Sequence, residues 1–155
     1  MPNPIFSDRE LDYVKSQRIA RLATGAAAET ENNSSNISLA TERFLVQPDV
    51  VPVGFHFDGG YFYIGGINML KSTKYKNVLK NNTVALVIDD LKTVDPWNPR
   101  GIRVYGEADI IKRQGATLDK NGQPEIVCSM RIIPRKKWSW GINDPAFVNG
   151  KFRVE

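Results

Sequence analysis

The sequence is poor in the residues that build most compact active sites. Cys128 is its one cysteine and His56 its one histidine. A single cysteine excludes an internal disulfide framework and a cysteine-cluster metal site. A single histidine leaves no zinc ligand set and no histidine-based triad. No metal site and no catalytic side-chain constellation are therefore expected. Long hydrophobic runs are missing too: nothing approaches the roughly 20 apolar residues of a membrane span. Pro2, Asn3 and Pro4 stand where a signal peptide has a basic and then an apolar stretch. A cytoplasmic protein is the expectation.

What is present fits one ordinary globular domain over residues 1–155, 41% hydrophobic and 25% charged. The net charge of +4 points to an anionic ligand, to nucleic acid, or simply to a solvated basic surface.

Phe6-Ser7-Asp8-Arg9-Glu10-Leu11 reads as a helix start: Ser7 caps, Glu10 reciprocates and Phe6 staples onto Leu11. The helix is predicted to run to about Ser16, with Leu11 and Val14 inward. Ile19 to Thr24 reads as a strand. The stretch from about 25 to 47 has no apolar period over much of its length and is expected to be a loop or insertion. Val51, Val53, Phe55 and Phe57 alternate with Pro52, Gly54 and His56. The turn Asp58-Gly59-Gly60 then returns the chain through Tyr61 to Ile64 as a hairpin. A helix is predicted from about Leu70 to Lys80 with Tyr75, Val78 and Leu79 on its apolar face, ended by Asn81-Asn82. Thr83 to Ile88 is a buried strand, and Asp95 to Gly101 a loop. Two long strands follow, the first on the alternation of Ile102, Val104, Gly106, Ala108 and Ile110. The second rests on Ile126, Cys128, Met130 and Ile132, after a turn at Asp119 to Gly122. So many antiparallel strands in a short chain call for closure, and a β-barrel is the expected architecture.

The chemistry-bearing feature is the basic second helix. Lys71, Ser72, Thr73 and Lys74 stand at its first turns, just after Gly65-Gly66. Backbone N–H groups at a helix start attract anions, and Ser and Thr hydroxyls add donors. Lys71 and Lys74, three apart, are expected to share a face. Two readings stand: a phosphate cradle, or a solvated lysine face opposite Tyr75, Val78 and Leu79. The spacing is not that of a P-loop.

A resemblance covers nearly the whole chain. It is carried by Ser16 to Thr24, Val50 to Phe55, and Gly65-Gly66 followed by Lys71 to Asn77. Further on it is carried by Val94 to Ile102 with Val104 and Gly106, and by Arg135 with Ser139-Trp140-Gly141. On these pieces the chain resembles the pyridoxamine 5'-phosphate oxidase-like split-barrel superfamily, in the branch that uses the deazaflavin coenzyme F420 in place of FMN. The resemblance implies a mainly β, antiparallel Greek-key split barrel with few helices. It implies a homodimeric oxidoreductase that binds coenzyme F420 at the subunit interface and reduces a small conjugated organic substrate. It further implies that Ser72, Thr73 and Lys74, with Lys71, hold the cofactor phosphate. Pro52, Val53 and Gly54 would line the ring, and Arg135 and Trp140 approach from the C-terminal segment. FMN is the alternative cofactor, in a flavin reductase or stress protein.

The chain also departs from the oxidase pattern. Asp49 to Gly54 stands where FMN oxidases carry Arg-x-x-Leu-Leu-Lys, Gly101 where they carry Gln, and Ser72-Thr73-Lys74 where they carry Ser-Arg-Lys. Pyridoxamine phosphate oxidase activity is therefore not expected. Rival readings on the same residues are a single-strand nucleic-acid binder using Tyr61, Tyr63 and the helix lysines, and a haem carrier ligated by His56. Otherwise His56 is read as a surface or interface residue, and Cys128 as a small hydrophobe. Trp97 is read as a pocket cover or dimer anchor. Trp138 and Trp140 should share one face of an extended segment.

Overall fold

The computed structural model describes residues 5–27 and 46–155. Helix α1 (Asp8–Ser16) starts as the sequence predicts. Ser7 caps it, accepting from the Glu10 N–H, while the Glu10 carboxylate accepts from the Ser7 N–H. Phe6 is buried and meets Phe57 and Phe62 edge to face, at centroid distances of 5.5 and 6.1 Å. It thereby pins the helix start to the barrel.

The strands are β1 (Ile19–Ala27), β2 (Val46–Gly54), β3 (His56–Phe57), β4 (Phe62–Ile64), β5 (Thr83–Thr93), β6 (Asn98–Leu118) and β7 (Pro124–Trp140). They form one sheet in the order β2-β1-β5-β6-β7-β4-β3, every pairing antiparallel. Its two terminal strands, β2 and β3, are separated in the chain by Phe55 alone. The sheet must therefore curl until its ends meet, which is the closure expected of a barrel. Ala20, Leu22, Phe62, Ile64, Leu86, Ile88, Ile102, Val104, Met130 and Ile132 fill it. A small hairpin, β8 (Phe147–Val148) with β9 (Lys151–Phe152), turns on Asn149 and Gly150, both at positive φ (51° and 73°). This is the Asn-Gly signal of a tight hairpin.

Several boundaries differ from expectation. The segment read as loop from about 25 to 47 is strand at both margins, where Gly25 pairs with Pro48, Ala26 with Gln47 and Ala27 with Val46. The ladder continues because small residues leave it unobstructed and its backbone groups need partners. The intervening part of that reading lies outside the described residues. The loop expected at Asp95 to Gly101 is shorter, since Asn98 to Gly101 already pair with β5. The cross-strand pair Arg100–Asp90 holds this end, with Nε–Oδ1 2.9 Å and Nη2–Oδ2 2.6 Å.

The helix predicted from Leu70 to Lys80 is two pieces. A 3₁₀ turn spans Met69–Lys71, and α2 spans Thr73–Lys80. Ser72, in extended backbone, separates them and caps α2. Leu79, placed on the apolar face by its spacing, is 62% exposed. The face that meets β1 is set by two asparagines: Asn77 donates to the Thr24 hydroxyl (3.0 Å), and Asn81 to the Gly25 carbonyl (2.9 Å). Polar contacts of this kind are invisible to hydrophobic periodicity. On β7, Met130 and Ile132 are buried as predicted, but Ile126 is 64% exposed and Cys128 half-buried. Cys128 still packs against the core as a small hydrophobe, whereas Ile126 sits on an arm of β6 and β7 beyond it.

Candidate functional site

Two parts of the expected site converge on β1. Along one side, β2 pairs with it, placing Gly54 opposite Ile19, Val53 opposite Ala20 and Pro52 opposite Arg21. Being a terminal strand of the order, β2 has a strand partner on one edge only among the described residues. Val53 is buried in the core, while Pro52 and Gly54 face out. A ligand at this edge therefore meets backbone and the two small exposed residues, with the Val53 side chain supporting from beneath. Over β1 lies α2, tied by Asn77 and Asn81.

The start of α2 has the makings of an anion cradle. The N–H groups of Thr73 and Lys74 belong to the first turn of the helix and have no intrahelical carbonyl to donate to. Lys74 is half-buried on the helix, and Thr73 is exposed beside it. Ser72 plays a different part from the one its hydroxyl suggests. Its Oγ donates to the Met69 carbonyl (2.7 Å) and accepts from the Tyr75 N–H (3.3 Å). It shapes the turn, leaving Thr73 to present a hydroxyl. Lys71 lies on the 3₁₀ turn before the cap, so it does not share a helical face with Lys74. It approaches the same helix start from the preceding turn.

Arg135 and Trp140 are both on β7. Arg135 is exposed on β7 and paired with Glu107 (Nη2–Oε2 2.7 Å). Trp140 ends β7, packed over Gly101: a Cβ built on that glycine would come within 2.3 Å of the Trp140 ring. Neither lines the two cavities next to the Gly65–Lys71 segment. Trp138 and Trp140 do share a face, with Ser139 buried between them. The indole of Trp138 sits 4.4 Å from the Arg103 guanidinium and 4.9 Å from the Tyr105 ring. Trp97 is 59% exposed. His56 is exposed, its ring 6.2 Å from that of Tyr63.

Hydrophobic and charge patterning missed two clusters. The first is structural: the fully buried Glu10 carboxylate accepts from Lys137 Nζ, Ser139 Oγ and the Ser7 N–H. Burial alone pushes its pKa up, but the donors from Lys137, Ser139 and Ser7 outweigh burial and hold it below the usual carboxylate range. The capping box was the signal for Glu10, and nothing local marks its partners more than a hundred residues away. The second cluster lies on the outer face of β4, β7 and β6. There Arg131 pairs with Asp109 and covers the Tyr61 ring at 5.3 Å. Tyr63 donates to Asp58 (2.9 Å). Burial, opposed and outweighed by the N–H groups of Tyr61 and Gly60 and by the Tyr63 hydroxyl, leaves the Asp58 pKa lowered.

Beside this face lie two cavities, the smaller of which reaches the 3₁₀ turn before α2. One, about 320 Å³, is lined by Asn68, Leu70, Lys71 and Ile126. The other, about 620 Å³, opens between the Gly65–Ile67 turn and the β6–β7 arm. They share Gly66, Val127 and Cys128. Among the described residues no group of three or more His, Cys, Asp or Glu could hold a metal, and no helix is long and apolar enough to cross a membrane.

No family model matches the chain. Solved structures share its fold at low identity. A putative pyridoxamine 5'-phosphate oxidase from Listeria innocua superposes with TM-score 0.56 at 12% identity, covering 84% of this chain and 94% of that one. The conserved hypothetical protein Rv2991 from Mycobacterium tuberculosis gives 0.57 at 21%, covering 92% and 89%. A FAD-binding protein from Mycobacterium smegmatis gives 0.52 at 20%, covering 87% and 94%. One curated relative is much nearer in sequence. The 5a,11a-dehydrotetracycline/5a,11a-dehydrooxytetracycline reductase of Streptomyces rimosus is 33% identical over 140 residues, 88% of this chain and 84% of that protein. Strand order, barrel closure and this relationship agree, and the chain belongs to the pyridoxamine 5'-phosphate oxidase-like split-barrel superfamily, in the reductase branch that includes the Streptomyces rimosus enzyme.

Proposed function

We propose that the protein is a cytoplasmic, homodimeric oxidoreductase that binds coenzyme F420 and reduces a small conjugated organic substrate. The observation that carries this reading is the anion cradle at the start of α2: two N–H groups without intrahelical partners, the Thr73 hydroxyl, and the ammonium groups of Lys71 and Lys74. It fits a phosphate. The edge of β2 at Pro52, Val53 and Gly54, without a strand partner among the described residues, fits the rim of a flat heterocycle, and both features flank β1. The name of the curated relative, a reductase, supports the reaction class. The bound deazaflavin supplies hydride chemistry, so the protein's task is to bind, orient and exclude water. The scarcity of histidine and cysteine agrees with catalysis by positioning. Arg135 is ion-paired with Glu107 and Trp140 packs over Gly101, and in this reading both serve the site from the partner subunit.

The absence of the basic pair of FMN oxidases from Asp49 to Gly54 favours the deazaflavin over FMN. Titration of the purified protein with oxidised F420 and with FMN, followed by ligand fluorescence, tests this directly. Micromolar binding of F420 with much weaker binding of FMN is expected. Lys74→Ala should cost about 1–3 kcal/mol of F420 binding, the range for hydrogen bonds to charged groups. Preference for FMN, or binding of neither, overturns the coenzyme assignment.

A further inference from the structure

We infer that the cleft between the Gly65–Ile67 turn and the β6–β7 arm is the site of the reducible substrate, and that it takes a flat conjugated ring system carrying an acidic enol or carboxylate oxygen; this rests on the reductase reading above. The register builds the floor. Tyr63 pairs with Arg131, and Arg131 with Asp109. Two residues further along the same face, Ser129 pairs with Ile111, and continuation of the β4 register brings Gly65 to the other side of Ser129. Two residues further again, Val127 pairs with Arg113. A sheet face is flat, and at Gly65 this one is open, because nothing lies within 4 Å of a Cβ built there. The resulting space, about 620 Å³, falls in the range that accommodates drug-sized ligands.

Its polar groups are few and specific. Ser129 lines the cleft and is 1% exposed, and its Oγ has no hydrogen-bond partner among the described residues. A buried hydroxyl without a partner is costly, and a ligand carbonyl accepting from it removes that cost. Arg113 stands at the rim, its guanidinium 5.9 Å from the Tyr63 ring centroid, and no carboxylate pairs with it among the described residues. It supplies charge for an anionic oxygen. The acidic group of the cleft, Glu125, accepts from Thr117 on the arm. Apolar support comes from Val127 and from Ile67, 97% exposed at the mouth. The shared wall at Gly66, Val127 and Cys128 joins the cleft to the smaller cavity, which is lined by Lys71 of the proposed coenzyme cradle.

The test uses tetracycline, a fluorescent polycyclic enol, titrated in the presence of EDTA onto the coenzyme-free full-length protein and onto three variants. Gly65→Val fills the floor, Ser129→Ala removes the hydroxyl, and Arg113→Gln removes the charge at an exposed position where folding is not at risk. Each is expected to weaken tetracycline binding about five- to thirtyfold, the range for one or two lost hydrogen bonds. Arg113→Lys should recover part of the loss, and the affinity for F420 should stay within twofold in all of them. Failure of the wild-type protein to bind tetracycline, or binding unchanged in all three variants, overturns the cleft assignment while leaving the coenzyme reading intact if F420 binds. The expected tetracycline pattern in a protein that binds no F420 upholds the cleft and overturns the coenzyme.

Discussion

Replacing Glu10 by glutamine keeps the shape of a fully buried side chain and removes its charge. The wild-type carboxylate is 0% exposed and accepts from Lys137, Ser139 and the Ser7 N–H. Breaking a buried ion pair from one side costs about 3–5 kcal/mol, because the other charge is left behind. The Lys137 side chain retains 21% exposure and can turn its ammonium toward water, so the low end, about 3 kcal/mol, applies. At roughly 2–4 °C per kcal/mol for a domain of this size, the thermal midpoint should fall by about 6–12 °C. The mirror substitution, Lys137→Met, strands the buried carboxylate, which has no path to water. It should be the more damaging of the two. The double variant, with neither charge, should lose less than the sum, so a double-mutant cycle in urea denaturation returns a clear coupling energy. A Glu10→Gln protein within about 0.5 kcal/mol of wild type, or a cycle with no coupling, would refute the view that this ion pair ties α1 to β7.

The same carboxylate, with Asp90, sets the response to acid. Both have native pKa values below their unfolded ones: Glu10 because its donors outweigh burial, Asp90 chiefly because of its hydrogen bonds from Arg100. Their contribution is complete above the ordinary carboxylate range of about 4 and is lost as pH falls through the lower native values. The thermal midpoint should hold from pH 7 to about 5, fall below about 4, and fall less steeply in Glu10→Gln/Asp90→Asn. An unchanged slope in that variant would count against the assignment. Gly101→Ala drives a methyl to within 2.3 Å of the Trp140 ring and 3.0 Å of the Ile88 carbonyl. Overpacking of this kind should cost about 1–3 kcal/mol in calorimetric stability, and no loss would show that Trp140 does not close over that glycine.

Much of the fold was legible in the chain because its signals are local. The capping box at Ser7 and Glu10, the alternation through Val51 to Phe57 and Ile102 to Ile110, and the turns at Asp58-Gly59-Gly60 and Asp119 to Gly122 each depend on residues a few positions apart. Scarcity of histidine and cysteine narrowed the chemistry before any contact was known. The basic start of α2 was visible as composition, and its role as a cradle remains the proposal tested above.

The rest depended on contacts distant in sequence. Ser72 breaks the second helix because its hydroxyl caps the following turn, and Leu79 lies outside because Asn77 and Asn81 choose the face that meets β1. Ile126 follows a core-like alternation with Cys128, Met130 and Ile132, yet it alone of the four lies outside the core. Ser129 reads as the polar half of an alternating strand, and only the pairing of β4, β7 and β6 buries it beside a glycine and an arginine. Periodicity fixes which side of a strand a residue occupies. What lies over that side is decided by strand order and register, and these two determined where the open cleft of this protein lies.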